Sequence, residues 1–118
     1  MQTLSIKEQV IGELIQPETI ESIVGAIVEN FSPEKIILFG SYIVGNPNED
    51  SDLDILVIMK SDKPRLDRSI PIQLLFRPYP CAMDIFVYTP EEVEYWNGTV
   101  NHIITEAIQT GKVIYERT

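Results

Sequence analysis

One cysteine and one histidine leave this chain nearly bare of soft metal ligands. Cys81 has no partner for an internal disulfide, and no thiolate cluster for zinc can form. Basic residues are scarce too. Nine Lys and Arg stand against eighteen Asp and Glu, a net charge of −9. That balance speaks against direct nucleic-acid binding, because gripping a phosphate backbone takes several cationic contacts. No apolar run approaches the ~18 residues of a membrane helix, and Met1-Gln2-Thr3-Leu4 lacks the basic-then-apolar opening of a signal peptide. The expectation is a cytoplasmic protein with no membrane partner. Repeats, low-complexity tracts and Gly/Ser linkers are also missing, so the 118 residues read as one domain, 1–118. The hydrophobic content, 44%, is close to the ~45–50% of ordinary globular domains.

Apolar periodicity outlines the elements. A helix over roughly Ser5–Ile15 carries Val10, Ile11, Leu14 and Ile15 on one side and stops before Pro17. A stronger stripe follows: Ile20, Ile23, Val24, Ile27, Val28 and Phe31 recur at helical spacing. It ends at Ser32-Pro33, because proline disfavours helical backbone in the residue before it. Lys35–Phe39, Leu53–Met59 and Met83–Tyr88 read as strands, and 62–77 as partly helical around Pro64 and Pro71. Thr89-Pro90-Glu91-Glu92 has a threonine cap, a first-turn proline and a glutamate three on, the marks of a helix start. After a turn at Asn97-Gly98, the residues Val100, Ile103, Ile104, Ala107 and Ile108 form a last helical stripe closed by Gly111, and Val113-Ile114-Tyr115 adds an edge strand. The order predicts an α+β fold, a small mixed β-sheet flanked by helices.

The chemistry concentrates between residues 37 and 57. A strand enters the turn Gly40-Ser41, ten residues intervene, and Asp52-Leu53-Asp54 opens the next strand. Strand residues two apart share a face, so Asp52 and Asp54 project together. Two adjacent carboxylates repel unless a cation lies between them. With no thiolate or imidazole nearby in sequence, a hard cation with oxygen ligands fits, Mg²⁺ first. Gly40, without a Cβ, allows close approach to a ligand, and Ser41 offers a hydroxyl and a backbone N–H suited to a phosphate. Asp84 brings a third acid on a strand of apolar neighbours, where a carboxylate is costly unless paired or metal-bound. If that strand lies beside the second, the three acids converge.

Gly40-Ser41, the ten-residue gap, Asp52-x-Asp54 and the later Asp84 resemble the signature of the DNA polymerase beta-type nucleotidyltransferase superfamily. The chain is most similar to the minimal nucleotidyltransferases encoded beside HEPN-domain toxins. The likeness spans roughly 36–94, and Tyr88-Thr89-Pro90-Glu91-Glu92 after the third acid is typical as well. It implies a polymerase beta-like fold with N-terminal helices over 1–31, a catalytic core over 34–94, and a C-terminal helix and edge strand over 99–118. It also implies catalytic, metal-binding roles for Asp52, Asp54 and Asp84, nucleotide contacts at Gly40 and Ser41, and two Mg²⁺ ions with ATP as substrate. Asp84 is further implied as acceptor of the attacking hydroxyl's proton. One position departs from the pattern: Val44 stands where many relatives have a basic residue, and a cation near the phosphates is lost.

The remaining residues divide more evenly. His102 reads as a surface or packing residue, Cys81 as a small core residue, Tyr42 as a stacking platform for a base or a cover for the loop, and Ser51 as a loop-orienting or plain turn residue. The segment 60–77 holds Lys60, Lys63, Arg65, Arg68 and Arg77 against Asp62 and Asp67. It is +3, which leaves −12 on the rest, and reads equally as a solvated face or as a reach toward a triphosphate or partner. The resemblance points to transfer of AMP from ATP to a protein hydroxyl, a tyrosine of a HEPN-type toxin, with this chain as antitoxin. The alternatives are a module that neutralises the toxin by contact alone, or transfer to a small hydroxylated molecule. Self-assembly stays open.

Overall fold

The computed structural model describes residues 2–3, 15–45, 47 and 51–118. Apart from Ile15, the helix expected over Ser5–Ile15 lies outside them. The described elements run β1 (Gln2–Thr3), α1 (Pro17–Phe31), β2 (Lys35–Phe39), α2 (Ser41–Val44), β3 (Leu53–Ile58), a 3₁₀ turn (Arg65–Asp67), α3 (Ile70–Gln73), β4 (Met83–Tyr88), α4 (Pro90–Trp96), α5 (Ile103–Thr110) and β5 (Lys112–Glu116). They form one five-stranded sheet in the order β1-β5-β2-β3-β4. Only the β3–β4 pair is parallel, so the sheet is mixed and the fold is α+β.

Strand alternation feeds two cores. Ile36 and Leu38 of β2, Leu53, Ile55 and Val57 of β3, and Ile85 and Val87 of β4 face α1, whose Ile20, Ile23, Val24 and Ile27 are the predicted stripe. Tyr42, Ile43, Ile72 and Phe76 from α2 and the β3–β4 crossover join that side. On the other face Ile37, Phe39, Leu56, Ile58 and Tyr88 pack against Ile104 and Ala107 of α5. Covered on both sides, β3 reads as a near-continuous apolar run.

Two expectations change, and a third gains a reason. β5 is not an edge strand, because the short β1 pairs outside it while β2 lies on its inner side. The last helix begins only at Ile103, since His102 caps it: its Nδ1 accepts the Ile104 N–H at 3.1 Å, while its ring stacks on Trp96 at 4.4 Å. Val100 is left outside the stripe and exposed. Gly111 is the C-cap of α5, as expected, although in extended backbone (φ −83°). What it requires is room, because a Cβ there would lie 2.7 Å from Ile37 Cγ2 and 2.8 Å from the Leu38 carbonyl oxygen. Gly111→Ala is expected to cost about 1–3 kcal/mol by overpacking, read as a lower urea midpoint at unchanged slope.

Candidate active site

Asp54 sits in β3 directly beside Asp84 in β4, as Cα partners of a parallel ladder. Neighbouring strands lie about 4.8 Å apart, and the shared register puts both side chains on the α5 side of the sheet. Asp52 precedes β3 by one residue and follows the same alternation. The third acid therefore meets the pair through register, as the sequence anticipates if the strands are neighbours. One detail differs. Asp84 is exposed at the start of an edge strand rather than buried among its apolar neighbours, whereas Asp52 and Asp54 are half-buried.

The electrostatics follow from this crowding. Burial, and then the charges of Asp84, Asp52 and Glu106, push the Asp54 carboxyl from its ordinary 3.8 up to about 6. What burial Asp84 has, with the charge of Asp52 and a hydrogen bond to its side chain, pushes Asp84 up as well. Glu106, in α5, is a fourth acid that the sequence did not flag. Nothing in its local pattern shows that α5 crosses the sheet next to Asp54.

The Gly40-Ser41 turn lies against the same group. Phe39 pairs with Asp54 across the antiparallel β2–β3 ladder, which delivers the next residue, Gly40, onto the Asp54 carboxylate. A Cβ on Gly40 would run into Asp54 Oδ2, and its backbone is left-handed at φ +83°. Ser41 starts α2, a single turn in which Gly40 accepts from the Ile43 and Val44 N–H groups at 3.0 and 3.1 Å. Gly40→Ala is expected to cost about 1–2 kcal/mol from the backbone alone and to displace Asp54, so activity falls further than thermal stability does. Parallel melting and activity assays read the two apart.

Other candidates resolve as structure. Tyr42 is buried in the α1-side core and cannot stack on a base; burial and the nearby Cys81 raise its pKa. Cys81 is half-buried, and burial and the Asp52 charge raise its thiol. Val44 is exposed. Arg68, from the basic segment, is buried and bound to Glu92, so it is not a solvated cation.

Three oxygen-donor carboxylates on one sheet face suit a hard divalent cation. Among the described residues, no three His, Cys, Asp or Glu side chains already close around a common point.

Residues 21–118 match the family described as "Polymerase beta, Nucleotidyltransferase". The chain belongs to the polymerase beta nucleotidyltransferase family. Among its relatives is a Methanocaldococcus jannaschii protein named "Putative protein adenylyltransferase", 32% identical over 88 residues. That match covers 70% of this chain and 58% of the relative, so the chain spans little more than half the relative's length. A solved Sulfolobus solfataricus structure, described as a "putative nucleotidyltransferase", superposes with a TM-score of 0.60 at 20% identity. It is matched over 85% of this chain and 79% of that one, and it carries the nucleotidyltransferase fold. No helix among the described residues is long and apolar enough to cross a membrane.

Proposed function

We propose that this nucleotidyltransferase moves AMP from ATP to a hydroxyl of a protein acceptor, with Mg²⁺ as cofactor. The observation that carries the reading is the convergence of Asp52, Asp54 and Asp84 on one sheet face with Gly40 seated against Asp54. The name of the Methanocaldococcus relative supports adenylyl transfer to protein.

The carboxylates of Asp52, Asp54 and Asp84 would hold the divalent cation. When bound, it neutralises triphosphate charge and stabilises the developing oxyanions. Gly40 leaves space for a phosphate to approach the turn, and the Ser41 hydroxyl and first-turn N–H groups orient it. The acceptor oxygen attacks the α-phosphorus and forms the new P–O bond. The bond from the α-phosphorus to the bridging oxygen breaks, and pyrophosphate leaves with the electron pair. The acceptor's proton passes to an Asp84 carboxylate oxygen, the most exposed of the three acids and so the most accessible to an incoming hydroxyl.

The acceptor we propose is a HEPN-type toxin, which this chain silences by modifying a tyrosine. Incubating the two proteins with ATP and Mg²⁺ and weighing the toxin tests it: the toxin is expected to gain the mass of AMP. An unchanged toxin, shown to be active beforehand, rejects the reading. If Asp52→Asn with Asp54→Asn still protects cells from the toxin, neutralisation is by contact and not by transfer.

A further inference from the structure

The crossover from β3 to β4 carries two stripes at the same spacing. Arg68, Ile72 and Phe76 point inward and are buried. Leu66, Ile70 and Leu74 recur on the opposite side and stay 77%, 47% and 56% exposed, with Leu75 and Tyr79 exposed beyond them. A crossover that only closed the fold would carry polar groups there, and large apolar side chains repeated along one exposed side point to a contact. Lys60, Lys63, Arg65 and Arg77 flank or interrupt the stripe in sequence and are exposed, with Asp62 and Asp67 as the segment's acids. It is the positive region of a chain whose net charge is −9.

We propose that this outer stripe docks a partner protein through an apolar helical face flanked by Asp and Glu side chains. Charge selects that occupant. A second copy paired symmetrically would lay the basic segment against itself and bring two −9 chains together. An anionic lipid surface would attract the segment and repel the strongly acidic remainder. The location suits delivery of an acceptor: the crossover re-enters the sheet at Met83, next to Asp84, and Cys81 lies within electrostatic reach of Asp52. The stripe's far end therefore leads toward the strand that carries Asp84, from the α1 side of the sheet. This purpose rests on the protein-acceptor reading; the docking itself does not.

The test uses the full chain and a fluorescent helical peptide with leucines at i, i+4 and i+8 flanked by glutamates. A lysine-flanked peptide serves as counterpart. Anisotropy is expected to show at least about tenfold tighter binding of the acidic peptide. Leu66→Glu with Leu74→Glu should remove that binding, and Leu66→Gln with Leu74→Gln should weaken it. Both sites are exposed, so melting temperatures should stay near wild type, and a loss of binding with an intact melt supports the proposal. Equal binding of the two peptides, or acidic binding that both variant pairs retain, overturns it. Co-sedimentation with phosphatidylserine vesicles that the variants abolish would assign the stripe to membrane instead. Self-association abolished by the variants would assign it to a second copy. Neither ATP nor transfer enters the readout, so failed AMP transfer would reject the proposed function and leave docking standing, and the reverse.

Discussion

Replacing Asp54 by asparagine is expected to lower AMP transfer on the order of 10²–10³-fold, the scale for losing one electrostatic stabiliser of a transition state. The metal-free protein should at the same time become more stable near neutral pH. The reason is the sign of the shift. Asp54 titrates at about 6 in the fold against an ordinary 3.8, so between those values the folded chain binds more protons than the unfolded one. Stability from this group is present below the ordinary value and is lost as pH rises through about 6. In full the shift would be worth about 3 kcal/mol, and solvent screening at a half-buried site reduces it to about 1–2 kcal/mol. Asp84, raised by its partial burial and by Asp52, acts in the same direction. Melts of the wild type from pH 4 to 7 should therefore show a decline that Asp54→Asn flattens. Added Mg²⁺ should raise the wild-type midpoint and leave the variant's nearly unchanged.

Arg68→Met should destabilise the fold by about 1–3 kcal/mol, the scale for losing charged hydrogen bonds to a partly exposed Glu92. Arg68 is 8% exposed. Its Nη1 and Nη2 donate to Glu92 Oε1 and Oε2 at 2.6 and 3.2 Å, and its Nε donates to the Lys63 carbonyl at 2.8 Å. Glu92 also closes the α4 capping box: Oε1 accepts the Thr89 N–H at 2.9 Å, and Thr89 Oγ1 accepts the Glu92 N–H at 3.2 Å. One carboxylate thus ties the crossover to the start of α4. Glu92→Ala should cost at least as much, since it strands a buried guanidinium and removes the cap. Arg68→Lys should not rescue, because an ammonium cannot repeat the two-pronged contact. The pH signature is opposite to that of Asp54. The hydrogen bond from Arg68 holds Glu92 below the ordinary carboxylate range, so this contribution is full above that range and lost as pH falls through the lowered value. Urea titrations of the variants at pH 4 and 7 check both statements.

What could be read ahead of the structure was local. Asp52-x-Asp54 projects together because strands alternate, and Thr89-Pro90-x-Glu92 caps a helix because four neighbouring residues suffice. Ile20 to Ile27 form a stripe because helical spacing is a property of one segment. What escaped was set by pairing between distant segments. The exposure of Asp84 follows from β4 ending the sheet, and the inner position of β5 follows from its pairing with Gln2–Thr3. Glu106 reaches Asp54 only through the crossing of α5, and Arg68 meets Glu92 across twenty-four residues. A basic residue in a basic segment looks like a solvated cation until its carboxylate partner is known. His102 packs on Trp96, within the surface-or-packing expectation, and its cap role comes in addition, from its position one before Ile103.

The most direct test of the central claim is to supply the protein and the proposed toxin acceptor with ATP labelled at the α-phosphate, and separately at the γ-phosphate. Nucleotidyl transfer at Asp52, Asp54 and Asp84 predicts label on the partner from the α-phosphate only, dependent on a divalent cation and absent with Asp54→Asn. Label arriving from the γ-phosphate, or α-label persisting with Asp54→Asn, would contradict it.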